Sequence, residues 1–228
     1  MVERPRFRDL EHSTRFTFVR HGESEANKRD IIQGHSDSPL SATGREHARA
    51  AGQRLKDTKI DLVFTSPLLR SRGTAKIIVE ETGASAPEVL DELIELDTGA
   101  YSGKNLREVS EKDPEGFKSF RIHSWEFVDG AESRESLLSR ALVVWDRLVT
   151  EANDGRRHIV CVTHGGMLQW IIKATIGTAD QRWMPVFGMT NCGISTFYGE
   201  STSLDHDEGL PPNTGFYGKW EQINSVPY

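Results

Sequence analysis

With 228 residues, 36% hydrophobic and 27% charged, the chain has the composition of an ordinary globular protein and the length to bury one large core. A net charge of −6 excludes a global basic field for nucleic acid, so any anion site must be built locally from a few arginines and histidines. No apolar run approaches the roughly 20 residues that cross a bilayer, residues 1–13 lack the apolar stretch of a signal peptide, and the two cysteines show no metal-knuckle spacing, so a reduced cytoplasmic protein without a membrane partner is expected. Residues 1–14 read as a frayed extension.

Phe16-Thr17-Phe18-Val19 is an apolar run with the look of a buried strand, followed by the turn-rich loop Gln33-Gly34-His35-Ser36-Asp37-Ser38-Pro39. A helix is predicted from about Thr43, with Glu46 as its capping-box partner. Leu62-Val63-Phe64-Thr65 reads as the next strand, and Ser66-Pro67 opens a second helix that runs to about Glu81 and stops at Gly83. Val89-Leu90 is a short strand, and residues 91–130, rich in charge and glycine, are the least regular part. Leu137, Ala141, Trp145 and Leu148 recur at helical spacing. A strand at 158–163, a helix at 167–176 and a strand at 194–198 follow, then a polar Pro/Gly-rich loop at 201–218 and an edge strand at 219–223. Alternating β and α segments predict an α/β fold, a three-layer αβα sandwich with a mostly parallel central sheet and helices on both faces, as one domain over 15–228.

Two positions stand out. Arg20-His21-Gly22-Glu23 directly follows the first strand, and His164-Gly165-Gly166 directly follows the strand ending at Thr163. Ligands of open α/β sheets bind beyond the carboxyl ends of the strands, so two histidines and an arginine are delivered to one crevice, a set suited to capturing and attacking phosphate. The run Arg20-His21-Gly22-Glu23-Ser24-Glu25-Ala26-Asn27 resembles the signature of the histidine phosphatase superfamily, which includes phosphoglycerate mutases. Further matches extend the resemblance over roughly residues 15–200: Ser66-Pro67-Leu68-Leu69-Arg70, Leu93-Ile94-Glu95, Gly99-Ala100-Tyr101-Ser102-Gly103, Gly130-Ala131-Glu132-Ser133 (one family glycine replaced by Ala131) and Asn191-Cys192-Gly193-Ile194.

In the chemistry this suggests, His21 is the nucleophile: a neutral imidazole nitrogen attacks phosphorus while the other ring nitrogen donates to a backbone carbonyl. Arg20 grips the phosphoryl oxygens, and Arg70 joins it if their strands are neighbours. Taken alone, Arg70 reads as a surface helix charge; the resemblance places it in the site. His164 is expected to hold the phosphoryl oxygens, with Gly165 allowing close backbone approach and the following helix aiming its first donors at the anion. The departing alkoxide needs an acid. Chemistry leaves Glu92 and Glu95 open, and the resemblance selects Glu95. It also implies that Asn27, Gln33 and Gly34 contact phosphate or substrate. Activity should peak on the acidic to neutral side.

Hydrolysis and transfer share this chemistry. Thr98 and Leu106 stand where the mutases carry a substrate-binding tyrosine and lysine, and Gly165-Gly166-Met167 replaces their usual Gly-Asn-Ser. The primary expectation is therefore a phosphomonoester hydrolase acting on a small phosphorylated metabolite, with mutase-type transfer and a fructose-2,6-bisphosphatase-like activity as alternatives and a catalytically dead phospholigand-binding module as the weakest. Residues 98–130 are expected to form a flap over the pocket. There Phe117, Phe120, Trp125 and Phe127 either face an organic moiety larger than glycerate or pin the flap, and Arg121 with His123 could bind a second acidic group. Met184, Phe187 and Met189 either line the pocket or pack. His12, His35, His47, His123, His158 and His206 form no metal-ligand pair and read as mostly surface residues, so no metal or other cofactor is expected.

Overall fold

The computed structural model describes residues 5, 7–176, 187–200 and 218–228, apart from the side chains of Arg8 and His123. The loop expected at 201–218 lies almost wholly outside the described residues, as do Met184 and His206. Six strands form one sheet: β1 Thr14–Arg20, β2 Leu62–Thr65, β3 Glu88–Val89, β4 His158–Thr163, β5 Ile194–Gly199 and β6 Gly218–Ser225, in the order β3-β2-β4-β1-β5-β6. The first four strands are mutually parallel, while β5 and β6 run antiparallel at one edge.

Alternation along the central strands sorts the core into two layers. Phe16, Phe18, Leu62, Phe64, Ile159 and Cys161 face one side and pack on helices α5 (Arg134–Asn153) and α6 (Gly165–Ile176). Val19, Val63, Val160 and Val162 face the other and pack on α1 (Ala42–Leu55) and α2 (Leu69–Thr82). This is the expected three-layer αβα sandwich. Leu137, Ala141, Trp145 and Leu148 all lie buried on α5, as their spacing predicts.

Four local expectations need correction. Helix α1 starts earlier than Thr43 because Ser41, not Thr43, accepts the Gly44 amide as its cap. Helix α2 begins at Leu69 rather than at Pro67, and its first amide is taken at 2.7 Å by Asp37 from the 33–39 loop. Residues 7–10 are not a frayed tail: Leu10 is buried, and the Phe7 ring lies 4.9 Å from Trp145 and 4.7 Å from Phe197. An apolar pair spaced to reach the open end of the first core layer outweighs the terminal location.

The fourth concerns residues 91–130, which are more regular than glycine content suggests. They form 3-10 turns at Asp91–Leu93, Gly99–Tyr101 and Ser124–Phe127 around α3 (Leu106–Lys112) and α4 (Pro114–His123). Asn105 and Asp113 cap the two helices, and Pro114 opens the second. A small separate core of Tyr101, Val109 and Val128, with Phe117, Phe120 and Trp125 packed on it, holds the segment together. Among the described residues no helix is long and apolar enough to cross a membrane.

Candidate active site

The β1–β4 register pairs Arg20 with Thr163, so the residues that follow, His21 and His164, leave the sheet side by side. Their rings face each other with centroids 5.0 Å apart. The strand that precedes Arg70, β2, is not a neighbour of β1, because β4 lies between them. Arg70 still arrives, since α2 runs back from β2 and its guanidinium reaches His164 at the end of the intervening strand. Arg20, His21, Asn27, Gln33, Gly34, Arg70, Glu95 and Thr98 line one cavity of about 230 Å³, with Trp125 and Gly166 at its side. Gly165 lines an adjoining cavity instead.

His21 is buried, and its Nδ1 lies 2.7 Å from the Gly22 carbonyl oxygen. A carbonyl can only accept, so Nδ1 carries the proton and Nε2 keeps its lone pair. Burial first, then the Arg20 and Arg70 charges, hold His21 well below the usual 6.5, outweighing the Gly22 bond. The imidazole is therefore neutral in the free protein. Arg20 donates through Nη1 to the Met189 carbonyl, and its Nε is buried without a partner. Cys192 closes this corner by donating its amide to the Arg20 carbonyl at 2.9 Å.

Arg70 is only 1% exposed, which overturns its reading as a solvated helix charge. It donates through Nε to His164 Nδ1 at 3.2 Å and through its two terminal nitrogens to the carbonyls of Ser36 and Gly34, each at 2.9 Å. Gly34 sits at φ 50°, and a Cβ there would meet Thr98 Oγ1 at 2.4 Å, so glycine is needed to bring that carbonyl in.

His164 differs from expectation. Because Nδ1 accepts from Arg70, Nε2 carries the proton and donates to Ser66 Oγ at 2.7 Å. Both ring nitrogens are committed, so in this arrangement His164 holds Arg70 rather than offering a donor to phosphate. Burial, then His21 and the arginines, keep it well below 6.5 and neutral. The Ser66 and Ser71 hydroxyls that flank it were not singled out from the sequence.

Glu95, not Glu92, lines the cavity. Its carboxylate accepts the amides of Leu96 at 2.9 Å, Met167 at 3.0 Å and Gly166 at 3.3 Å. The first donors of α6, expected to face phosphate, are thus taken up by Glu95. The backbone of this turn is fixed by Arg140 of α5, which donates to the carbonyls of Glu92 and Ile94 at 3.0 and 2.6 Å, reaches Glu95 O at 3.5 Å and pairs with Glu132 at 2.5 Å. His35 adds a bond to Glu95 O at 2.8 Å. Sequence reading noted Glu132 only as part of a family element and missed Arg140; a buried charge pair eight residues apart leaves no periodic signal.

Asn27 and Gln33 are oriented by Ser24, whose backbone amide donates to Asn27 Oδ1 at 3.1 Å and whose hydroxyl donates to Gln33 Oε1 at 2.8 Å. With both oxygens so engaged, the amide NH2 groups are the free ends. Thr98 is 3% exposed and its Oγ1 has no partner. Leu106 lies exposed on α3 and does not line the cavity. His158, expected at the surface, is buried and bonded to Thr17 Oγ1 at 2.9 Å. Among the described residues no cluster of three or more His, Cys, Asp or Glu side chains is arranged to hold a metal ion.

Comparison with known proteins bears on this arrangement. The chain is 32% identical over 190 residues to an Arabidopsis thaliana protein named "Probable 2-carboxy-D-arabinitol-1-phosphatase", a match that covers 82% of this chain and 38% of that longer one. It is 35% identical over 154 residues to the 2,3-bisphosphoglycerate-dependent phosphoglycerate mutase of Cytophaga hutchinsonii, covering 66% of this chain and 72% of the relative. The fold superposes on the alpha-ribazole phosphatase of Shigella flexneri with a TM-score of 0.74 at 24% identity, over 93% of this chain and 97% of that one. Residues 16–205, which carry both strand-end histidines and both arginines of the cavity, match the family model described as Histidine phosphatase superfamily (branch 1), and the chain belongs to that superfamily.

Proposed function

We propose that the protein hydrolyses small phosphomonoesters through a phosphohistidine on His21. The observation that carries this reading is the state of His21: a buried neutral ring, proton fixed on Nδ1, Nε2 free, between two arginines. A phosphomonoester dianion enters the 230 Å³ cavity against Arg20 and the amide ends of Asn27 and Gln33, with Arg70 held behind it by His164. The Nε2 lone pair forms a bond to phosphorus as the ester P–O bond breaks. The electron pair leaves on the ester oxygen, which takes a proton from the Glu95 carboxyl. Water then attacks phosphorus, gives a proton back to Glu95, and returns the electron pair of the N–P bond to His21.

The superfamily contains hydrolases and mutases, and the 35% identical mutase relative makes transfer the second reading. Thr98 supports hydrolysis, because a short side chain occupies the cavity wall where the resemblance implies a substrate-binding tyrosine in mutases. The test is an acid- or base-quenched assay with 32P-labelled phenyl phosphate on wild type and His21→Ala, with and without chelator. A base-stable, acid-labile adduct with phosphate release, absent in His21→Ala and indifferent to chelation, is the expected result. Turnover that persists in His21→Ala refutes it. Phosphate passed to 3-phosphoglycerate faster than to water favours the mutase reading.

A further inference from the structure

A second cavity, about 510 Å³, opens beside the catalytic one and shares Trp125 and Gly166 with it. Its walls are Phe120 and Trp125 from the flap on one side and Phe187, Gly188 and Met189 on the other, with α6 as the floor. Arg121 is its one charged lining residue among those described, and that side chain is exposed. Gln169 does not offer its amide to a ligand here: it donates to the Phe187 carbonyl and accepts the Phe187 amide at 3.3 Å.

Both walls are built before any ligand arrives. The Phe120 and Trp125 rings pack at 4.8 Å and are backed by the small core of Tyr101, Val109 and Val128. The opposite wall is tied to α6 through Gln169 and to the phosphate-binding Arg20 through the Met189 carbonyl. An apolar, preformed pocket of several hundred Å³ with few polar groups is the kind of surface that recognises a flat organic body. A hydroxylated three-carbon leaving group would fill little of it and leave its aromatic walls uncovered.

Resting on the hydrolase reading, we propose that this cavity is the leaving-group subsite, and that the preferred substrates are phosphomonoesters of apolar, ring-bearing alcohols rather than of small polar ones. The phosphate lies in the His21 cavity, and the ring passes between Trp125 and Met189. Burying a ring of this size is worth about tenfold or more in kcat/KM.

Two primary alkyl esters, 2-(1-naphthyl)ethyl phosphate and 2-hydroxyethyl phosphate, keep leaving-group chemistry matched. Wild type is expected to prefer the naphthyl ester by about tenfold or more. Trp125→Ala, which removes part of one wall, should collapse that ratio. Because Trp125 also packs on the flap core, Gly188→Trp is the second variant: a Cβ there meets no heavy atom within 4 Å, and the added ring occupies the cavity without displacing the core. Calorimetric binding of 1-naphthylmethylphosphonate against methylphosphonate to His21→Ala gives a readout that needs no hydrolysis. Tighter naphthyl binding, lost in the His21→Ala/Gly188→Trp double variant, supports the subsite even if neither ester is turned over. Equal kcat/KM for the two esters with equal phosphonate binding, or a preference untouched by Gly188→Trp, overturns it.

Discussion

The two glycines after His164 provide a paired test of how Glu95 is held. Both lie in the first turn of α6, where alanine is favoured over glycine by up to about 1 kcal/mol. A Cβ on Gly165 would have Arg20 Nε as its nearest contact at 3.5 Å, an ordinary van der Waals distance. A Cβ on Gly166 would lie 2.2 Å from Leu96 Cδ2 and 2.6 Å from Glu95 Oε1, which real atoms do not share. Gly165→Ala should therefore be neutral or stabilising by up to about 1 kcal/mol. Gly166→Ala must move the Glu95 carboxyl off the Gly166 and Met167 amides and shift Leu96, which is 2% exposed in the first core layer. Overpacking costs about 1–3 kcal/mol, partly offset by the helix preference, so the net loss is roughly 0–2 kcal/mol. The larger effect is on chemistry: with Glu95 as the proposed proton donor, its displacement should lower kcat by about tenfold to a hundredfold, with a smaller change in KM. Urea denaturation and steady-state phosphate release on both variants measure the two effects. Equal kcat in Gly165→Ala and Gly166→Ala would refute the placement of Glu95 at the start of α6 as the functional one.

Four further outcomes follow from the same geometry. Arg140→Ala breaks a pair whose side chains are 15% and 12% exposed and strips donors from the Glu92, Ile94 and Glu95 carbonyls; a loss of about 3–5 kcal/mol, or roughly 6–20 °C in a thermal melt, is expected, and a drop under about 2 °C contradicts it. Burial, with Arg15 second, lowers His158 from 6.5 to about 4, so the unfolded chain binds a proton between those values that the folded chain refuses. Stability should fall as pH drops through that window, by up to about 3 kcal/mol from this residue, and the fall should be smaller in His158→Gln when urea midpoints at pH 7 and pH 4.5 are compared. Thr98→Val removes a buried hydroxyl that has no partner, so it should leave the fold unchanged or more stable by about 1 kcal/mol; a clear loss in urea midpoint would show that the hydroxyl is paired. Because His21 is held well below 6.5, the ring nitrogen proposed as nucleophile stays free into the acid range, and kcat/KM should show no acid limb near pH 6.5 beyond the one that the substrate's own second ionisation, measured separately, imposes; an additional limb there would place the ring in a wetter site.

Much of this protein could be read from short-range pattern. Apolar runs located the central strands, helical spacing located α5, and each strand-end histidine announced itself by its place between a buried run and a glycine, because the direction in which successive side chains point along a strand or helix is set locally. The resemblance added Arg70 and Glu95 at positions where charge and spacing alone left a surface helix charge or two equal carboxylates. What the pattern could not decide are interactions between residues far apart in the chain. Whether Arg70 is solvated or buried depends on a histidine 94 positions away. The α6 amides were expected to meet phosphate and instead meet Glu95, 71 and 72 positions earlier. Phe7 is core only because Trp145 and Phe197 leave a place for it. Local chemistry determines which groups a residue can offer. Which partner takes up each donor, charge or ring is decided by packing, where burial removes water as the alternative.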